Sequence, residues 1–245
     1  MQFDQPLREG RFIKRYKRFF VDIDYQGETL TAHCPNTGSM MGCKDPESPV
    51  LFSSTDDPNR KLKHTLQMVK APKSWVGVNT ALPNKLVREL FETQPLKHWQ
   101  KFDRQQGEVK INEQSRMDMV LWDSKAHEIE KWSAKNIVPP LHFIEVKNVT
   151  LEKQSQALFP DAVSTRGQKH LQELMDLVDE GYSCEMVFVV QRQDCKAFAP
   201  ADEIDPEYGK LLRKAHSHGV KVTPLVCEMS PQEIRLTNRP LPLNL

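Results

Sequence analysis

The sequence has no long hydrophobic run. Its longest stretch of strongly apolar residues is MVFVV at 186–190, far short of the ~20 residues that a membrane-crossing helix needs. No membrane partner is therefore expected. The opening MQFDQPLREGRFIKRYKRFF lacks the apolar core of a secretory signal, so a cytoplasmic protein is expected, nucleoid-associated if it binds DNA. Excess charge is missing too. The net charge is +1, so no overall basic balance points to nucleic acid, and any such footprint must be local. No CxxC occurs, and the cysteines (Cys34, Cys43, Cys184, Cys195 and Cys227) are odd in number. That argues against a secreted disulfide framework and for free, buried thiols. His33, Cys34 and Cys43 could be imagined on zinc, but a fourth ligand at suitable spacing is absent. There is no internal repeat, low-complexity tract, glycine-rich phosphate loop or sugar-hydrolase carboxylate pair. Nothing fixes an oligomeric state.

What is present is a chain of ordinary globular make-up, 245 residues with 27% charged and 38% hydrophobic, enough for one large domain or two small ones. The first third reads as short strands joined by turns. FFVDIDYQGETLTAH alternates around Tyr25-Gln26-Gly27-Glu28, a hairpin connection. CPNTGSMMGC is rich in turn formers, and SPVLFSS (48–54), HTLQMVK (64–70) and SWVGVNT (74–80) are further strand candidates. Five or so short strands in about 80 residues suggest a small barrel of the oligonucleotide-binding (OB) type.

From Leu82 the pattern changes. PNKLVRELFE (83–92) has Leu86, Leu90 and Phe91 at helical spacing behind a proline. Strands are expected at GEVKIN (107–112), SRMDMVLW (115–122) and LHFIEVKNVT (141–150), with a polar surface excursion, DSKAHEIEKWSAKNIVPP, between the last two. RGQKHLQELMDLVDEG spaces Leu171, Leu174, Met175 and Val178 as one helix face. CEMVFVVQR (184–192) reads as a buried strand and DPEYGKLLRKAHSHG (205–219) as a helix. VKVTPLVCEM (220–229) reads as a strand whose proline favours an edge or a bulge. The order α-β-β-β-α-β, then α-β, fits a mixed α/β fold with a sheet flanked by helices.

The chemistry centres on FIEVKNVT. On a strand, Glu145 and Lys147 point one way while Ile144 and Val146 point into an apolar layer. Asp118, on the preceding strand, would stand beside Glu145. Two neighbouring carboxylates repel unless a cation lies between them. Mg²⁺ or Mn²⁺ would suit: it takes one or two carboxylates, keeps waters and leaves room for a phosphate. Lys147 could act on a metal-bound water or offset charge on phosphate oxygens. Glu108 and Glu89 are candidate further ligands. Taken alone, an E-x-K triplet is more often a solvated ion pair; the apolar face behind it and the acid on the neighbouring strand favour a shared site.

Nucleic acid would find Arg8, Arg11, Lys14, Arg15, Lys17 and Arg18 within eleven residues, against the single acid Glu9, with Phe12, Tyr16, Phe19 and Phe20 interleaved. Cations attract phosphates and aromatic faces stack on bases; equally, the aromatics can be barrel core. By alternation, Arg11, Arg15 and Lys17 share one face, Lys14 and Arg18 the other. Arg166, Gln168 and Lys169, with the first amides of their helix, would offer an anion-friendly patch near Glu145. Turn amides of HCPNTGSMMGC could contact phosphate. Asp161 could join the acidic site or serve as a turn residue, and His170 reads as structural or exposed.

An Asp followed by (Glu/Asp)-x-Lys in such a unit resembles the restriction-endonuclease-like, PD-(D/E)xK fold. The whole chain resembles the sugar fermentation stimulation protein (SfsA) family through RYKRF (15–19), HCPNTGSM (33–40), GC (42–43), VNT (78–80), SRMD (115–118), IEVKNVTL (144–151) and FPDAVSTRGQKHLQEL (159–174). The resemblance implies an OB-like barrel over residues 1–81 and a nuclease-like domain over 82–245. It also implies largely non-specific DNA binding linked to regulation of sugar (maltose) metabolism genes. By motif, Asp118, Glu145 and Lys147 fall on the nuclease-like positions and Gln168 on the polar helix position. The spacing from Asp118 to Glu145 is extended relative to the family. A DNA binder, a Mg²⁺-dependent DNA nuclease and a single-stranded RNA binder all remain open, and a sugar enzyme is a remote fourth.

Overall fold

Turn chemistry cuts the first eighty residues into strands. In the computed structural model, which describes residues 1–112, 115–126 and 140–245, β1 (Arg8–Tyr16), β2 (Phe20–Tyr25) and β3 (Glu28–His33) form a meander. Gln26 and Gly27 have φ of 57° and 87°, the left-handed pair that a two-residue hairpin turn requires. Then come β4 (Pro49–Ser54), β5 (His64–Lys70) and β6 (Trp75–Gly77). The order is β3-β2-β1-β4-β5-β6, and a parallel contact of β3 with β5 closes it into a barrel. Phe12, Val21, Ile23, Phe52, Leu66 and Val69 fill it.

The register between β1 and β2 shifts between Phe12 and Lys14, so strict alternation fails along the most basic strand. Arg11, Lys14, Lys17 and Arg18 are exposed, but Arg15 is half-buried. Its guanidinium donates to the carbonyls of Gly38 (2.9 Å) and Asn36 (2.5 Å). Expected on a DNA-facing surface, Arg15 instead clamps the CPNTGS loop onto the barrel.

The rest of the chain builds a six-stranded sheet and a smaller three-stranded one. α1 (Pro83–Thr93) leads to β7 (Arg104–Lys110), β8 (Arg116–Trp122) and β9 (Leu141–Val149). β10 (Leu151–Lys153) and β11 (Gln156–Phe159) precede α2 (Thr165–Asp179), β12 (Ser183–Val190), β13 (Ala197–Pro200), α3 (Pro206–Ser217), β14 (Lys221–Met229) and β15 (Ile234–Pro240). The sheet order is β15-β14-β12-β9-β8-β7, while β10, β11 and β13 form a small sheet of their own. The parallel centre β9-β12-β14 has antiparallel neighbours. Helices α2 and α3 cover one face, over Phe143, Met186 and Phe188. The other face packs Ile144, Val146, Val187 and Val189 against α1. Pro224 lies not at an edge but inside β14, beside a register shift between Leu225 and Cys227.

The barrel is stitched to the sheet next to β9. The Gly77 amide donates to the Gln191 carbonyl at 2.8 Å. A Cβ at Gly77 would sit 2.3 Å from Gln191 Oε1, so a larger residue would push the buried Gln191 side chain out of place. Gln191 Nε2 donates in turn to Asn148 Oδ1 at 2.5 Å. All five cysteines are free and buried. Among the described residues, no helix is long and apolar enough to cross a membrane. Most of the polar excursion after Trp122 lies outside the described residues.

Candidate functional site

The register of β8 on β9 pairs Trp122 with Leu141 and continues to Met119 with Ile144. One step further sets Asp118 across from Glu145. Here the ladder ends: Asp118 Oδ2 accepts the Val146 amide (2.8 Å) and Oδ1 accepts Asn84 Nδ2 of α1 (2.8 Å). The side chain of Asp118 thus takes a main-chain donor on the facing strand, which fixes its carboxylate beside Glu145.

Glu145 is 2% exposed. Its Oε1 is crowded: Lys147 Nζ donates to it at 2.5 Å, and His170 Nδ1 also bonds it. Its Oε2 is buried and has no hydrogen-bond partner among the described residues. A buried polar atom without a partner costs about 1–3 kcal/mol, so a bare carboxylate oxygen needs an explanation. The fully buried hydroxyl of Tyr208 also lacks a partner among the described residues, and Glu145 lies close enough to help raise its pKa, after burial.

The two acids differ electrostatically. Burial, then the charge of Glu145, pushes Asp118 up to about 6, against the lowering pull of the Val146 amide and Lys147. Burial also works to raise Glu145, but Lys147 and His170 outweigh it and hold the carboxyl below its ordinary value. Glu145 is therefore the stronger acid of the two, and Asp118 is the one whose ionised form a nearby cation would favour most.

Asp118 and His170 line a cleft of about 300 Å³ together with Glu108, Lys110, Arg116 and Arg166. Among the residues expected at the site, Asp118, Glu145 and Lys147 converge, Glu108 and Arg166 line the cleft, Lys169 reaches its rim at Ser115, and Gln168, Glu89 and Asp161 lie elsewhere. Gln168 Nε2 donates to Asp205 Oδ1 (2.9 Å), and Asp205 caps α3; the structure does not bring Gln168 to Glu145. Lys169 turns to Ser115 and Glu173. Glu89 pairs with the Met1 ammonium at 2.7 Å. Asp161 accepts from the Ser39 hydroxyl at 2.9 Å, a tie between the barrel loop and the segment before α2.

Two contributors were not foreseen. His170 sits one helical turn after Arg166, whose Nε donates to His170 Nε2 at 3.4 Å. The i, i+4 spacing of Arg166 and His170 was readable, but its direction depends on how α2 docks. Asn84 follows the helix-initiating Pro83, and nothing local marks it as a partner for a strand residue 34 positions on.

Known proteins frame this geometry. Residues 13–78 match the family model described as the SfsA N-terminal OB domain, and residues 81–233 match the sugar fermentation stimulation protein RE domain. A sugar fermentation stimulation protein homolog of Bdellovibrio bacteriovorus is 48% identical over the full length of both chains. The homolog of Geotalea uraniireducens is 45% identical over 98% of each. SfsA of Pyrococcus furiosus, solved in complex with Ca²⁺, superposes with a TM-score of 0.84 at 23% identity, covering 100% of this chain and 98% of that one.

Proposed function

The chain belongs to the sugar fermentation stimulation protein family, and on that premise we propose that it binds DNA with low sequence specificity and holds a divalent cation of the Mg²⁺ type between Asp118 and Glu145. One observation carries the reading: Glu145 presents a buried oxygen with no hydrogen-bond partner among the described residues, directly across from a second carboxylate whose ionisation is suppressed. A hard cation supplies the bare Glu145 oxygen with a partner and favours the ionised form of Asp118, and it takes oxygen donors by preference. Asp118 and Glu145 would hold the ion, with Glu108 at the cleft as a further acid. The Pyrococcus furiosus relative is described with Ca²⁺, a cation of the same hard, oxygen-seeking class.

When bound, such an ion polarises a phosphodiester oxygen and acidifies a bound water. The chain's own residues do the rest. Lys147 holds Glu145 in place and brings positive charge to the site. Arg116 and Arg166, both exposed at the cleft, suit phosphate oxygens. On the barrel, Lys17 and Arg18 occupy the left-handed β1–β2 turn beside Phe19, which is 47% exposed. Cations flanking an exposed ring suit a phosphate backbone with a stacked base. The relatives' shared name carries the link to sugar metabolism, which we propose as regulation through DNA contact.

The intact lysine beside Glu145 favours a second reading, cleavage of the bound DNA. Single- and double-stranded DNA and RNA are incubated with Mg²⁺ or Mn²⁺ and the wild type, Glu145→Ala or Lys147→Ala. Cleavage by the wild type, lost in both variants, establishes a nuclease. Binding by all three without cleavage leaves a binder. Preference for RNA overturns the DNA assignment.

A further inference from the structure

The sheet carries a second buried carboxylate, Glu185 on β12, facing α1 rather than α2. Glu185 is 0% exposed. Its Oε2 is met by His98 Nε2 at 2.9 Å, His142 Nε2 at 2.8 Å and Trp99 Nε1 at 2.7 Å. The Thr223 hydroxyl takes Oε1. We infer that His98, His142 and Glu185 form a nitrogen-rich metal site suited to Zn²⁺, on the opposite face of the sheet from Asp118 and Glu145.

Three features point to a metal rather than a plain hydrogen-bonded cluster. The first is crowding. A carboxylate has about two acceptor positions per oxygen, yet three nitrogen atoms converge on Oε2. One ion among the two histidine nitrogens and Oε2 turns that crowd into a ligand set, leaving the Trp99 N–H as a single support. The second is charge. No Lys or Arg among the described residues pairs with Glu185; its only ion-pair partners are the two imidazoles. A buried anion needs a positive partner, and a zinc ion supplies it without protonating either ring.

The third is the outer support. Ser183 Oγ lies 2.8 Å from His142 Nδ1 and donates to the Leu141 carbonyl at 3.1 Å. A hydroxyl that donates to the carbonyl accepts from Nδ1–H, which in a neutral ring makes Nε2 the atom free to bind an ion beside Glu185. That neutral ring would set a lone pair against the carboxylate, a repulsion that a cation between them removes. Phe102 stacks on the His142 ring, centroids 5.7 Å apart and 19° between planes, fixing its orientation. Such partners are the usual companions of a zinc-bound histidine.

The dimensions agree. The three donor atoms lie within 4.8 Å of one another. Zinc bonds of about 2.0–2.2 Å place tetrahedral ligand atoms roughly 3.3 Å apart, so the rings need only small movements. His98 remains 32% exposed on its side chain, which leaves access and room for a water as fourth ligand.

The full chain, stripped by a chelator and dialysed, is titrated with Zn²⁺ against a chromogenic competitor, and with Co²⁺ while visible d–d absorption is followed. We expect one tightly bound ion per chain, apart from any weaker binding at Asp118 and Glu145, and the absorption of a four- or five-coordinate nitrogen-oxygen site. His98→Ala, the least buried ligand, should lower zinc affinity by at least about 100-fold while circular dichroism stays that of the wild type. Glu145→Gln should leave zinc affinity unchanged. Absence of zinc binding, equal binding by His98→Ala, or loss in Glu145→Gln would each overturn the assignment.

Discussion

Two buried glutamates, forty residues apart in sequence, sit on neighbouring strands of one sheet and face opposite ways. Glu145, 2% exposed, has one crowded oxygen and one bare one, with a second acid across the strand gap. Glu185, 0% exposed, is ringed by two imidazoles, an indole and a hydroxyl. Both carboxyls are held below their ordinary value, but by different means. Burial opposes ionisation at each. At Glu145, Lys147 and then His170 outweigh it; at Glu185, hydrogen bonds from His142 and His98 do so. The difference teaches how surroundings divide work between like groups. Oxygen donors beside a bare lone pair suit a hard ion that exchanges waters and phosphate; nitrogen donors around a closed carboxylate suit zinc and a fixed core.

The sharpest way to break the comparison is truncation. Glu185→Ala leaves an indole, a hydroxyl and two imidazoles without their acceptor, and should cost about 3–5 kcal/mol in urea unfolding. Glu145→Ala should cost only about 1–2 kcal/mol, because Lys147 keeps Asp118 nearby and the acid-acid repulsion disappears. Equal losses would erase the distinction.

Charge removal at Asp118 comes next. Its carboxyl, raised to about 6 in the fold, favours the folded state when protonated, and that advantage is lost as pH rises through its folded pKa. Asp118→Asn keeps the neutral form at every pH, and Asn84 can turn its amide to suit. Without divalent ions near neutral pH, the variant should be about 1–2 kcal/mol more stable than wild type. The gain should vanish below the ordinary aspartate pKa. Mg²⁺ should stabilise the wild type and not the variant. A gain that persists in acid would place the effect outside this titration.

On the barrel the same contrast of open and closed groups applies to the cations. Lys17→Ala with Arg18→Ala should reduce the salt dependence of DNA binding by a slope of about 2, with little change in melting temperature. Arg15→Ala should instead lower the melting temperature, since it frees the Asn36 and Gly38 carbonyls. The smallest effect belongs to Gln168→Ala: about 1 kcal/mol from its bond to Asp205, and no change in divalent-ion affinity by calorimetry.

Where a signal is local, the sequence carried it. The Gln26-Gly27 turn, the β5 strand at 64–70 and the two faces of β9 follow from alternation and turn chemistry, and the OB barrel emerged from that count of short strands. The short β10, β11 and β13 gave no periodic pattern to read, and β15 ends among prolines. Around the site, Asp118 beside Glu145 was readable because adjacent strands need only a register. His170 and Asn84 arrive on helices whose docking angle is a tertiary matter. Glu185 did leave a trace, a lone charge inside the apolar run CEMVFVV; its partners His98, His142 and Thr223 come from three other segments.

Calorimetric titration of Mn²⁺ or Ca²⁺ into the metal-free chain tests the central claim most directly, with wild type set beside Asp118→Asn and Glu145→Gln. Binding of one ion at the cleft, abolished by Glu145→Gln and weakened by Asp118→Asn, is the predicted result. The same affinity in all three proteins would contradict a cation shared between these two carboxylates.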